Sequence, residues 1–148
     1  MKPRVLIVDG HSMIFQWPDL TLQHAKRTAS ARESLMRMLT GLQDNTDWHV
    51  TVVFDGTGSG TKPSETTSGV RGIQVFYSTA DQSADSVIER LAAKYAERYE
   101  VTVATDDLME RTTVASFGAN SMSAWQLREE IEAAGRDLDA RLKQMRRH

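Results

Sequence analysis

Arg4-Val-Leu-Ile-Val-Asp-Gly-His-Ser12 begins with an unbroken apolar run, Val5 to Val8, and stops at an aspartate and a glycine. A continuous apolar run of strand length, closed by a breaker, reads as a strand buried on both faces, hence a central strand of a parallel sheet. Such sheets bind ligands beyond the carboxyl ends of their strands, which places Asp9 at the functional edge.

Outward from this strand the pattern repeats. His49-Val-Thr-Val-Val-Phe54 closes on a second Asp-Gly pair, Asp55-Gly56. Residues 73–77 and 100–105 read as further strands, the latter ending on Asp106-Asp107, and residues 119–122 as a short edge strand. Between them, apolar spacing predicts helices over residues 19–28, 31–43 and 108–115, and one capped by Ser83 with Val87, Ile88, Leu91, Ala92 and Tyr95 facing inward. Capping boxes are expected at Ser30 to Glu33 and at Ser123 to Gln126, the second opening a final helix that Gly135 should weaken or bend. Residues 13–18 read as an apolar loop or turn. Strands alternating with helices at this spacing predict the α/β class, with a mainly parallel central sheet and helices on both faces. Neither an internal repeat nor a linker divides the chain, so residues 1–148 read as a single domain.

With 148 residues, 40% of them hydrophobic and 26% charged, the chain is long enough for one sizeable core. No stretch approaches the roughly 20 apolar residues of a membrane span, and the start lacks a signal peptide's apolar segment. A soluble, cytoplasmic protein without a membrane partner is therefore expected. The absence of cysteine excludes disulfides, thiolate metal sites and cysteine nucleophiles. A formal charge of -2 gives no global signature for a nucleic-acid partner, so any such partner must meet a local basic surface. The glycine-rich loop over residues 56–72 is a candidate flap carrying Lys62 and Arg71 towards a polyanion. It is not a Walker A loop, because Thr61 precedes Lys62 and Pro63 follows it.

Asp9, Asp55 and Asp106-Asp107 end three strands, and Asp85 opens the helix before the last of these. Crowded carboxylates repel one another unless a cation sits between them or some stay protonated. Oxygen donors without a histidine or cysteine cluster suit Mg2+ or Mn2+, and such a centre can activate water against a phosphodiester. Taken singly, each aspartate could instead cap a helix or shape a turn, and one of Asp106 and Asp107 is expected to be only a cap. Asp81, Glu89 and Glu110 could extend the cluster but read as solvated surface charges. His11 and Ser12 lie beside Asp9 as candidate substrate contacts. No nucleophile elbow surrounds Ser12, which reads as a hydrogen-bonding neighbour. Trp17, Trp48 and Trp125 are assigned to packing rather than to base stacking, and Arg141, Lys143 and the Arg-Arg-His tail to a solvated helix end.

The order of these motifs resembles the YacP-like branch of the NYN domains, within the PIN-like nuclease superfamily. Leu6-Ile-Val-Asp-Gly-His-Ser12 is similar to the family's opening strand and its Asp-Gly-Tyr-Asn motif. Trp17-Pro18, Ala31-Arg32, Val52-Val-Phe-Asp55, Ser83-Ala-Asp85 with Ile88-Glu89, Val103-Ala-Thr-Asp-Asp107, Gly118-Ala and Met122-Ser123-Ala follow in the family's order. The resemblance implies a three-layer α/β/α PIN-like, Rossmann-like fold and metal-dependent, endonucleolytic cleavage of RNA, with the ribosome a candidate partner. It also implies that Asp9, Asp55, Asp85 and Asp107 form the catalytic acidic set, with Asp9, Asp85 and Asp107 on the metal. Two positions depart from the family: His11-Ser12 replaces Tyr-Asn, and Asp106 stands at a serine position. The competing reading is a catalytically weak or inactive RNA- or ribosome-binding module of the same fold. A phosphate-accepting receiver domain ranks lower, because the chain lacks the adjacent acid pair after the first strand and an evident lysine after a last one.

Overall fold

The computed structural model describes residues 2–56, the backbone of residues 66–67, and residues 72–146. In chain order the elements are β1 (Arg4–Asp9), α1 (Gly10–Gln16), α2 (Pro18–Lys26), α3 (Thr28–Asn45), β2 (Trp48–Phe54), β3 (Thr66–Thr67) and β4 (Gln74–Tyr77). They continue with α4 (Ala84–Tyr95), β5 (Glu100–Ala104), α5 (Leu108–Ser116), β6 (Asn120–Met122) and α6 (Ala124–Arg146). The sheet runs β3-β4-β2-β1-β5-β6. All its pairings are parallel except the short β3 against β4.

β1 is central for the reason its composition predicts. Successive strand side chains point to opposite faces, so an all-apolar strand serves two cores at once. Leu6 and Val8 enter a core built with Met13 and Ile14 of α1, Leu20 of α2, Leu35, Leu39 and Leu42 of α3, and Leu127 of α6. Val5 and Ile7 enter the opposite core with Val87, Ile88 and Ala92 of α4 and Val114 of α5. The result is a three-layer α/β/α fold. Each fully buried aliphatic chain here contributes about 1.5–3 kcal/mol. β2 lies on one side of β1 and β5 on the other, so strand order reverses at β1 and leaves a crevice beyond its carboxyl end. Asp9 closes β1 at that crevice.

Several local expectations are corrected. Residues 13–18 are not a loop: α1 starts directly after β1, with Asp9 as N-cap accepting from the backbone N–H of Ser12. Met13 and Ile14 are buried on its inner face, so about two turns of helix cover the sheet where a loop would leave apolar surface in water. α3 begins at Thr28, a turn before the Ser30 to Glu33 box, and its N-cap Arg27 makes no side-chain capping bond. Packing of Ala31, Ser34 and Leu35 fixes that start in place of a cap. The Ser123 box does form, with Gln126 N–H donating to Ser123 Oγ at 3.1 Å and Ser123 N–H to Gln126 Oε1 at 2.7 Å. α6 continues through Gly135, where an added Cβ would meet nothing within 4 Å. Trp17 and Trp48 are buried, whereas Trp125 is exposed and does not pack in the core.

Among the described residues, no helix is long and apolar enough to cross a membrane. Lys62, Arg71, most of the candidate flap and the last two residues of the tail lie outside the described residues.

Candidate metal centre

The carboxyl ends of β1 and β5 and the amino ends of α4 and α5 meet at one point. One carboxylate oxygen from each of Asp9, Asp85 and Glu110 lies within 4.8 Å of the others. Asp9 comes from the last position of β1. Asp85 is held in the first turn of α4, whose start is fixed by Ser83 Oγ accepting from Ser86 N–H at 3.1 Å. Glu110 stands in the first turn of α5, where Asp107 is the N-cap and accepts from Met109 N–H at 3.0 Å and Glu110 N–H at 3.3 Å.

Two hydroxyls anchor Asp9. Ser12 Oγ donates to its Oδ2 at 2.9 Å and Thr105 Oγ1 donates to the same oxygen at 3.0 Å. Each hydroxyl is itself fed by a backbone N–H: Asp106 reaches Ser12 Oγ at 3.2 Å, and Asp107 reaches Thr105 Oγ1 at 3.1 Å. Chains of this kind polarise one another and hold the carboxylate in one orientation. Burial raises the Asp9 carboxyl above its ordinary value, the Ser12 and Thr105 bonds pull it back, and the neighbouring Asp85 charge adds to the rise. Ser12 is thus a buried partner of Asp9, as its sequence context suggested.

Glu110 is the unexpected member. It is 3% exposed, while its neighbours Leu108 and Met109 are 72% and 81% exposed, an inversion of the usual preference for apolar burial. Among the described residues, neither of its carboxyl oxygens has a hydrogen-bond donor. The neighbouring side chain is another carboxylate, Asp85, so a bond between the two exists only when one of them carries a proton. Burial, then Asp85, then the charges of Asp9 and Asp107 push the Glu110 carboxyl up to about 10. Its assignment to the solvated surface is therefore corrected. A signal was present in Asp107-Leu-Met-Glu110: the acid stands four residues before Val114, on the inward face of the same helix.

The other predicted residues are distributed differently. Asp107 lies outside the group of three and is exposed, although its charge acts on Glu110. Asp106 accepts from Ala124 N–H at 2.9 Å and pairs with Arg111 at 3.6 Å, so its added charge is engaged at the start of α6. The two neighbours are thus both caps, Asp107 for α5 and Asp106 for α6. Asp55 is exposed and lines a separate cleft with His11. Asp81 and Glu89 are not part of the cluster.

Residues 6–148 match the family model described as the YacP-like NYN domain. The chain belongs to the YacP-like NYN domain family. It is 31% identical over 143 residues to the uncharacterized protein YacP of Bacillus subtilis (strain 168), covering 95% of this chain and 82% of YacP. A crystal structure of a single-substitution variant of that protein superposes with a TM-score of 0.81 at 28% identity, covering 97% of this chain and 84% of the other. A second crystal structure of YacP gives a TM-score of 0.74 at 29% identity, covering 95% and 80% respectively. Membership of this NYN family implies a nuclease fold of the ribonuclease type and an RNA substrate.

The residues present suit a hard divalent cation. The donor set is all carboxylate, and Glu110 is buried with both oxygens unpartnered, a placement that is costly without a proton or a cation.

Proposed function

We propose that the chain is a divalent-metal-dependent endoribonuclease in which Asp9, Asp85 and Glu110 hold Mg2+ or Mn2+. The observation that carries this reading is the burial of Glu110, without a donor, against two further carboxylates. A bound divalent cation would supply charge stabilisation to the scissile phosphodiester and acidify a water molecule.

The protein's own part is orientation. Ser12 and Thr105 fix the Asp9 carboxylate, and the Asp107 cap sets the first turn of α5 and with it Glu110. Asp107, beside the cluster, is a further water-orienting or metal-facing candidate. Asp55 stands on the substrate side with His11, while Lys62 and Arg71 keep their sequence assignment to phosphate contact.

Calorimetric titration of Mn2+ into the wild type, Asp9→Asn and Glu110→Gln tests this reading, together with cleavage of an end-labelled single-stranded RNA. Saturable binding and cleavage by the wild type, both lost in either variant, are expected. A wild type that binds no Mn2+ would sink the nuclease reading and leave a recognition module of the same fold.

A further inference from the structure

Beside the acidic cluster, on the opposite face of the sheet, a cleft of about 290 Å³ is bounded by His11, Phe15, His24, Arg32, Phe54 and Asp55. The rings of His11, Phe15, His24 and Phe54 make up half of its lining. The Phe15 ring lies 4.5 Å from His11 and 4.8 Å, edge-on, from His24, yet Phe15 remains 44% exposed. A ring held by two neighbours and still open to solvent is a preformed stacking platform, because little side-chain freedom is lost when a planar ligand settles on it.

The cleft also carries a positive charge held in place. Arg32 donates from Nη2 to the Asp55 carbonyl at 2.8 Å, and its guanidinium lies 5.2 Å from the Phe54 ring centroid. It forms no ion pair with any carboxylate among the described residues. His24 Nδ1, in the same wall, is buried without a hydrogen-bond partner among the described residues. The open face of Phe15, braced by rings inclined to it at 41° and 70°, and a guanidinium held beside it offer a platform for one base and a cation for its phosphate.

Its position ties it to the metal centre. His11 follows Asp9 by two residues, so the two sites share the β1 to α1 turn. Gly10 makes that turn tight: a Cβ there would stand 2.5 Å from Phe54 Cδ1, so the backbone presses directly on the cleft's floor. Two residues of chain span about 7 Å at most, within the reach of one nucleotide.

We infer that this cleft is a nucleotide subsite for single-stranded RNA, in which Phe15 and His11 stack one base and Arg32 takes the adjoining phosphate. The inference rests on the ribonuclease reading, and its test separates the two. An RNA octamer is titrated, with Ca2+ replacing Mn2+, into the wild type, Phe15→Leu, His11→Ala and Arg32→Gln, while Mn2+ calorimetry is run on each protein. Phe15→Leu keeps an apolar side chain at a half-exposed position and removes only the ring. Its RNA affinity should fall about 5- to 150-fold, with Mn2+ binding unchanged. An abasic residue scanned along the octamer should weaken the wild type at one position and leave Phe15→Leu indifferent there. Arg32→Gln should lower the salt slope by about one contact. RNA binding by Phe15→Leu and Arg32→Gln equal to that of the wild type would overturn the subsite, as would a wild type that binds no RNA. Loss of Mn2+ binding by the wild type with RNA binding intact would instead count against the metal-dependent nuclease.

Discussion

Glu110→Gln is the most informative single change, because it separates the cost of the centre from its use. In the metal-free protein the Glu110 carboxyl is pushed up to about 10 from 4.5, its ordinary value. A group whose folded pKa is raised contributes stability that is complete below its unfolded pKa and is lost as pH rises towards the folded value. From pH about 4.5 to about 7 that loss approaches 3.4 kcal/mol at 1.36 kcal/mol per unit. Allowing for water reaching the crevice mouth, about 2–3 kcal/mol is the expected cost at neutral pH. Glutamine keeps the shape of the protonated acid, places an amide donor beside Asp85 and does not titrate. Metal-free Glu110→Gln should therefore melt above the metal-free wild type by roughly 5–10 °C near pH 7, and the gap should widen from about pH 5 to about pH 9. Adding Mn2+ should close the gap and then reverse the order: the wild type gains about 2.7 kcal/mol at a hundredfold excess over its dissociation constant, which cancels its deficit, and about 4.1 kcal/mol at a thousandfold excess, while the variant gains nothing. Differential scanning calorimetry with and without Mn2+ reads both effects. A variant that melts below the metal-free wild type at pH 7, with an undiminished Mn2+ response, would refute both the strained protonation and the ligand role.

Two further outcomes follow from the packing. Thr105→Val removes the hydroxyl that bonds Asp9 Oδ2 at 3.0 Å while keeping the shape of the side chain. It should weaken Mn2+ binding about 10- to 100-fold, read by calorimetry, and cost about 1–3 kcal/mol in urea unfolding. Gly135→Ala fills open space in the middle of α6, where glycine only adds freedom to the unfolded chain; it should stabilise the protein by about 0.4–1 kcal/mol in the same assay.

Some of this architecture follows from adjacent residues alone. The Val5 to Val8 run has one way to hide both its faces, so β1 had to be central and Asp9 had to stand at the crevice. Ser83 and Asp85 carry their own helix start, which is why Asp85 was legible at the same edge. α1 was missed because a seven-residue helix has little intrinsic stability and is held by the sheet it covers. The early start of α3 likewise depends on buried contacts, not on a cap.

The sequence by itself determined the layered α/β fold, its central strand and the gathering of acids at one edge, because burial pattern and strand-end chemistry are local properties. Only the tertiary structure decided which acids meet. Capping bonds assign Asp107 to α5 and Asp106 to α6, and Asp55 faces a different cleft. Glu110 is brought to Asp9 and Asp85 by the packing of α5 beside α4. The spacing from Glu110 to Val114 turns the acid inward, but which carboxylates it then meets depends on how helices far apart in the sequence dock on the sheet.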